Sequence, residues 1–190
     1  MKVIFKPGTM LYPLPAVLVS CGNKIEGYNL ITIAWTGTIC SEPAMCYISV
    51  RPSRHSHSMI KKNGDFFINL TTKDLAFATD WCGVKSGKDV DKFAAMKLTP
   101  VHYPDMNAPY IEESPLNIAC KVEQIVELGS HDMFIAKVVA VLADEQFMDS
   151  KTGKFHLDKA DLIAYNHGQY CHLGDEFGKF GWTVEKKRKK

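Results

Sequence analysis

Two long apolar runs, Ile118 to Val126 and Met133 to Leu142, flank the polar stretch Gly129-Ser130-His131-Asp132. Glycine and short polar side chains between two such runs mark a chain reversal, so the pair reads as one antiparallel hairpin. Further strand candidates follow the same logic: Ala16 to Ser20 before a Gly22-Asn23 turn signal, a long Leu30 to Ile39 segment, Met45 to Val50, Asp65 to Leu70 and a last one at Leu162 to Tyr165. Helical patterns are fewer and shorter. His55 to Lys62 has Ser53 or Ser56 as cap and Asn63-Gly64 as stop, and Asp74 to Trp81 has Thr71 or Thr72 as cap with Gly83 beyond its end. Val90 to Met96 is a third, and the proline-bearing stretch from Thr99 to Pro115 reads as irregular. Many antiparallel strands with a few short helices describe a mainly β chain, a closed or split β-barrel with helices packed outside.

At 190 residues, with no internal repeat or low-complexity linker, the chain reads as one domain over residues 1–185 followed by a basic tail at 186–190. The formal charge of +2 depends on that tail, Lys186-Lys187-Arg188-Lys189-Lys190, without which the chain is net acidic. A nucleic-acid-binding reading therefore rests on the tail alone, and a solvated terminus explains it as well. The six cysteines form no CxxC pair and no zinc spacing, so they are expected to be reduced and mostly structural. The amino-terminal MKVIFKPGTM lacks the apolar stretch of a signal peptide, and no run approaches the roughly 20 apolar residues of a membrane helix. The expectation is a cytoplasmic protein.

The chemistry concentrates between Tyr28 and His57. Arg51-Pro52-Ser53-Arg54-His55-Ser56 gathers cations and hydroxyls where a helix is expected to begin, and a helix start adds backbone N–H groups and a positive dipole end. That combination suits a phosphate, although a surface helix with capping serines uses the same residues. Upstream, Asn29-Leu30-Ile31-Thr32-Ile33-Ala34-Trp35 alternates Asn29, Ile31, Ile33 and Trp35 with Leu30, Thr32 and Ala34. Small residues let a backbone approach a flat ring, and Trp35 could wall it or could equally be a core tryptophan. A planar ring joined to a phosphate describes a nucleotide-like cofactor, and flavin mononucleotide (FMN) is the expectation. Ser86, Gly87 and Lys92 lie in a polar loop that could close over such a ligand, and His131 sits in the hairpin turn. The chain holds no GxGxxG, Walker loop, HExxH or GxSxG, and no helix face bears a carboxylate pair, so hydrolase and zinc chemistry find little support.

These segments resemble the flavin reductase-like, FMN-binding split-barrel proteins, and among them the flavoredoxin group. The resemblance is carried by Pro13 to Ser20, Asn29 with Thr32 to Trp35, Ser41-Glu42-Pro43, Arg51 to Ser56, Phe67 to Leu70, Ser86-Gly87 with Asp91 to Phe93, Gly129 to His131 and the closing Gly174 to Trp182. It implies a homodimeric FMN-binding split β-barrel. Carried over by position, Asn29, Thr32, Ala34 and Trp35 line the flavin ring and ribityl chain. Arg51, Ser53, Arg54, His55 and Ser56 hold the phosphate, Ser86, Gly87 and Lys92 come from the covering loop, and His131 faces a nicotinamide. The implied activity is hydride transfer from NAD(P)H to flavin N5, with electrons passed to a flavin, a metal or a protein acceptor. The alternative is a flavoredoxin-type electron carrier reduced by a redox protein.

Overall fold

The computed structural model describes residues 1–185, and the expected basic tail at 186–190 lies outside them. Strand β1 is Leu14–Pro15, and β2 Val17–Asn23 pairs with β3 Gly27–Ile33 as a hairpin. The expected Gly22-Asn23 turn is instead the end of β2. The reversal falls at 24–26, where Asn23 Oδ1 accepts from the N–H groups of Ile25 (2.9 Å) and Glu26 (2.8 Å). An asparagine side chain standing in for a turn carbonyl gives this shift a local cause.

The single strand expected from Leu30 to Ile39 is two strands. The chain bends at Ala34-Trp35, then forms β4 Thr36–Ser41 and β5 Ala44–Val50. Sheet order explains the break. With β6 Asp65–Leu70, β9 Leu116–Glu127 and β10 Asp132–Ala143, the main sheet runs β3-β2-β6-β9-β10-β5-β4. The bend therefore carries the chain from one edge of the sheet to the other. The expected hairpin is present as β9 and β10, in register from Asp132↔Glu127 to Ala143↔Leu116 with irregularities near Ile135/Ala136 and Val138/Ala140 that add curl. Curling brings β5 near β3, and Ser49 N–H donates to Trp35 O at 2.9 Å, extending the β4–β5 pairing into the bend.

Side-chain alternation then separates two cores. Val17, Val19, Ile31 and Ile33 join Ile48, Phe66 and Phe134 inside the barrel. Leu18 and Leu30 point outward and are covered by α2 Ala76–Val84 and α3 Lys92–Met96, through Ala78, Cys82 and Phe93. Burial on both faces, worth about 1.5–3 kcal/mol for each large apolar side chain, makes β2 and β3 rigid supports.

Helix α1, His55–Asn63, stops at Gly64, whose φ of 73° lets its N–H reach Ile60 O. Its expected serine cap is absent: Arg54 occupies the cap position, with no side-chain bond. Nor do Thr71 or Thr72 cap α2, which begins at Ala76 after Leu75 and runs through Gly83. α3 is capped by Asp91, whose carboxylate accepts from Ala94 N–H at 3.1 Å. The Thr99–Pro115 excursion contains only the short pair β7 Pro100–Val101 and β8 Tyr110–Ile111. The last expected strand is β11 Ile163–Asn166, joined by β12 Gln169–His172 and β1 in a small separate sheet. All six cysteines are free thiols, and burial pushes Cys21 up to about 12 and Cys82 up to about 11, as suits structural thiols. No described helix is long and apolar enough to cross a membrane.

Candidate functional site

Two cavities adjoin at Ile31 of β3 and Arg54 ahead of α1. The wider, ≈ 360 Å³, is lined by Ile31 to Trp35 of the β3 end, by Ser49, Val50 and Arg51, and by Arg54, Gly83, His131, Tyr165 and Tyr170. The narrower, ≈ 220 Å³, is lined by Asn29, Ser53 to Ser56, Lys85 to Gly87 and Lys92. Ile31 and Arg54 line both, so the pair adjoins as a broad lobe and a cation-rich lobe.

The thirteen residues expected from sequence are all brought to this space. The wider lobe takes Thr32, Ala34, Trp35, Arg51, Arg54 and His131, and the narrower takes Asn29, Ser53, Arg54, His55, Ser56, Ser86, Gly87 and Lys92. Several of their polar atoms are already engaged. Asn29 Nδ2 donates to Ser56 Oγ at 2.8 Å, tying β3 to α1. Arg54 Nη2 donates to Gly83 O, which fixes the guanidinium where the lobes join. Thr32 Oγ1 donates to Thr79 O of α2, and Lys92 Nζ donates to Leu30 O and Cys82 O at 2.7 Å each. Lys92 is 2% exposed, and burial, helped by the Arg54 charge, holds its ammonium below the usual lysine range although Cys82 pulls the other way.

Two glycines set how closely the walls approach. A Cβ on Gly87 would stand 2.1 Å from Asn29 Oδ1, so only glycine lets the Ser86-Gly87 loop rest on the Asn29 amide. A Cβ on Gly83 would meet Thr32 Cβ at 3.3 Å. At the rim of the wider lobe the Trp35 and His131 rings lie 4.4 Å apart between centroids. Burial, then the neighbouring Arg51 charge, holds His131 below the ordinary histidine range and favours its neutral form.

Sequence reasoning missed the rest of the wall: Ser49, Val50, Gly83, Lys85 and above all Tyr165 and Tyr170 of the β11–β12 hairpin. The tyrosine rings are 5.8 Å apart, and Tyr170 OH donates to Asp80 Oδ1 of α2 at 3.3 Å. Burial and Asp80 push that phenol up to about 12, so it stays protonated. The alternation of Tyr165 and Tyr170 about Asn166-His167-Gly168 could have signalled the hairpin, but nothing local signals its docking against α2.

A sequence model of the family described as "flavin reductase like domain" matches residues 9–174. The chain belongs to the flavin reductase-like family. The flavoredoxin of Desulfovibrio vulgaris (Miyazaki F) superimposes with a TM-score of 0.89 at 28% identity, over 97% of this chain and 100% of that one. An uncharacterised protein of Archaeoglobus fulgidus is 30% identical over 141 residues, 74% of this chain and 78% of the relative. The reductase component of a 4-nitrophenol 4-monooxygenase/4-nitrocatechol 2-monooxygenase from Rhodococcus opacus is 29% identical over 138 residues, 64% of this chain and 68% of the relative. As a flavin reductase-like protein, the chain carries the split barrel that its resemblance to that family implied.

Proposed function

We propose that this flavin reductase-like protein binds FMN in the joined cavities and works as an NAD(P)H-dependent oxidoreductase that passes electrons to a flavin, metal or protein acceptor. The observation that carries the reading is the meeting of the two lobes at Arg54, a cation-rich recess joined to a broader one floored by strand backbone. The donor set fits the group. Arg54, His55, Ser53 and Ser56 line the narrow recess, Arg51 lines the adjoining lobe, and an arginine fork matches phosphate oxygens. The flat ring fits the other lobe, where Gly83 and Ala34 keep the walls low and Trp35 forms a side.

FMN bound there would supply the redox chemistry, hydride acceptance from a nicotinamide and electron release to an acceptor. The chain's own part is placement and charge. Arg54 holds the junction through Gly83 O, and the Ser86-Gly87 loop covers the narrow lobe over Asn29. Neutral His131 beside Trp35 offers a hydrogen-bonding edge on the nicotinamide side without adding charge to the rim. Exposed Ile39, Val139 and Val141 on β4 and β10 support a homodimer, which light scattering at micromolar concentration would register directly.

The likeness to a flavoredoxin favours a second reading, a carrier in which FMN stays bound and a redox protein supplies the electrons. Anaerobic spectra of the FMN-loaded protein separate the two. Bleaching of the flavin bands within seconds of adding NADH or NADPH supports the reductase, and bands that persist until a reduced iron–sulfur protein is added overturn it in favour of the carrier.

A further inference from the structure

The loop bearing the cation and hydroxyl side chains has a neck, and one carboxylate closes it. Val50, the last residue of β5, is paired across the sheet with Asp132, the first residue of β10. Beyond the loop, His57 in the first turn of α1 brings Nε2 to 2.7 Å from Asp132 Oδ2. The same residue thus holds both ends of Arg51–Ser56, by its place in the sheet at one end and by its carboxylate at the other. His57 and Asp132 are 7% and 6% exposed, and the imidazole packs edge-on against Phe134 with ring centroids 5.2 Å apart. Neither residue lines either lobe of the cavity. Asp132 is also the residue next to His131, whose ring rests on Trp35.

We infer that His57 and Asp132 are positioning residues, which hold Arg51–Ser56 in the geometry that receives a phosphate and tie that loop to the turn presenting His131. The inference rests on the FMN reading above. Within the loop the backbone supplies little: Arg54 N–H donates to Arg51 O and His57 N–H to Arg54 O, each at 3.0 Å. Arg51, Pro52 and Ser53 are exposed and pack little. A buried imidazole–carboxylate pair cannot part without stranding a polar group away from water, so the neck stays shut while the loop tip is free to meet its ligand. A loop ordered during folding spends less of its binding energy on ordering when the anion arrives.

The test compares FMN with riboflavin, which has the same ring and ribityl chain but no phosphate, by fluorescence titration. Asp132→Asn keeps the side-chain shape and removes the charge. The expected result is a fall of about tenfold in the ratio of FMN to riboflavin affinity, on the scale of one hydrogen bond to a charged group, with riboflavin affinity unchanged. His57→Gln gives a similar fall, and the double variant falls no further than either single one, because both changes break one link. Should Asp132→Asn fail to fold, His57→Gln carries the test. An unchanged ratio in a folded variant overturns the inference, as does an equal loss for both flavins, which would mark a merely structural pair. If the unmodified protein itself fails to prefer FMN to riboflavin, the FMN reading falls first and the inference with it.

Discussion

Replacing Gly87 with alanine isolates the contact that closes the narrow lobe. The backbone at Gly87 is not in the left-handed region, so alanine adds no conformational strain and only a methyl group. That methyl would lie 2.1, 2.5 and 2.8 Å from Oδ1, Cγ and Nδ2 of Asn29, all far inside contact distance. Asn29 has little room to yield, because it is 3% exposed and its amide donates to buried Ser56 Oγ at 2.8 Å. The loop yields instead, since Lys85, Lys88 and Asp89 around it are exposed. Overpacking of this kind costs about 1–3 kcal/mol. Were that cost met on closing the loop over FMN, affinity would fall by about 5- to 150-fold at tenfold per 1.4 kcal/mol. A fluorescence titration measures it, with a thermal melt to show that the fold survives. Gly174→Ala is the control, because its backbone is not in the left-handed region, no atom lies within 4 Å of its added Cβ and it lines neither lobe. FMN affinity in Gly87→Ala within about twofold of the unmodified protein would refute the argument that this loop covers the phosphate lobe.

Further predictions follow from single contacts. Arg54→Ala should weaken FMN binding by about 1.5–3 kcal/mol while leaving riboflavin much less affected, because it removes a charged donor from the lobe junction; equal losses in paired titrations would count against the phosphate assignment. Asp132→Ala should destabilise the fold by about 1–3 kcal/mol in urea unfolding, since it leaves the buried His57 Nε2 without its partner, and an unchanged unfolding curve would show that water already reaches the pair. His131 is held below the ordinary histidine value, so the unfolded chain takes up its proton first as pH falls, and stability rises with pH wherever the unfolded state holds more protons. Melting temperature should therefore drop as pH falls below about 6.5, and His131→Gln should flatten part of that drop; parallel curves for the two proteins would remove His131 as its source.

What could be read in the sequence was local. The β9–β10 hairpin, the end of α1 at Gly64 and the donor cluster at Arg51–Ser56 each depend on neighbours in the chain, and each is found where periodicity and turn chemistry put it. The bend at Ala34-Trp35 was hidden because its cause is the order of strands in the sheet, where β3 and β4, consecutive in the chain, form opposite edges. Tyr165 and Tyr170 reach the wider lobe through a hairpin docked on α2 by Asp80, a contact across 90 residues. His57–Asp132 spans 75 residues, and its histidine sits among others with no local mark of pairing. Lys92 read as a cofactor donor, yet two carbonyls, of Leu30 and Cys82, engage its ammonium from inside the fold. Serine capping of α1 failed for a related reason: Ser56 lies inside the helix and its hydroxyl meets Asn29 of β3.

Equilibrium titration of the purified protein with FMN, followed by flavin fluorescence, tests most directly whether the joined lobes at Arg54 are an FMN site. An FMN site there gives saturable quenching with one FMN bound per chain, weakened in Arg54→Ala. Fluorescence that never saturates, or saturation that Arg54→Ala leaves untouched, would contradict it.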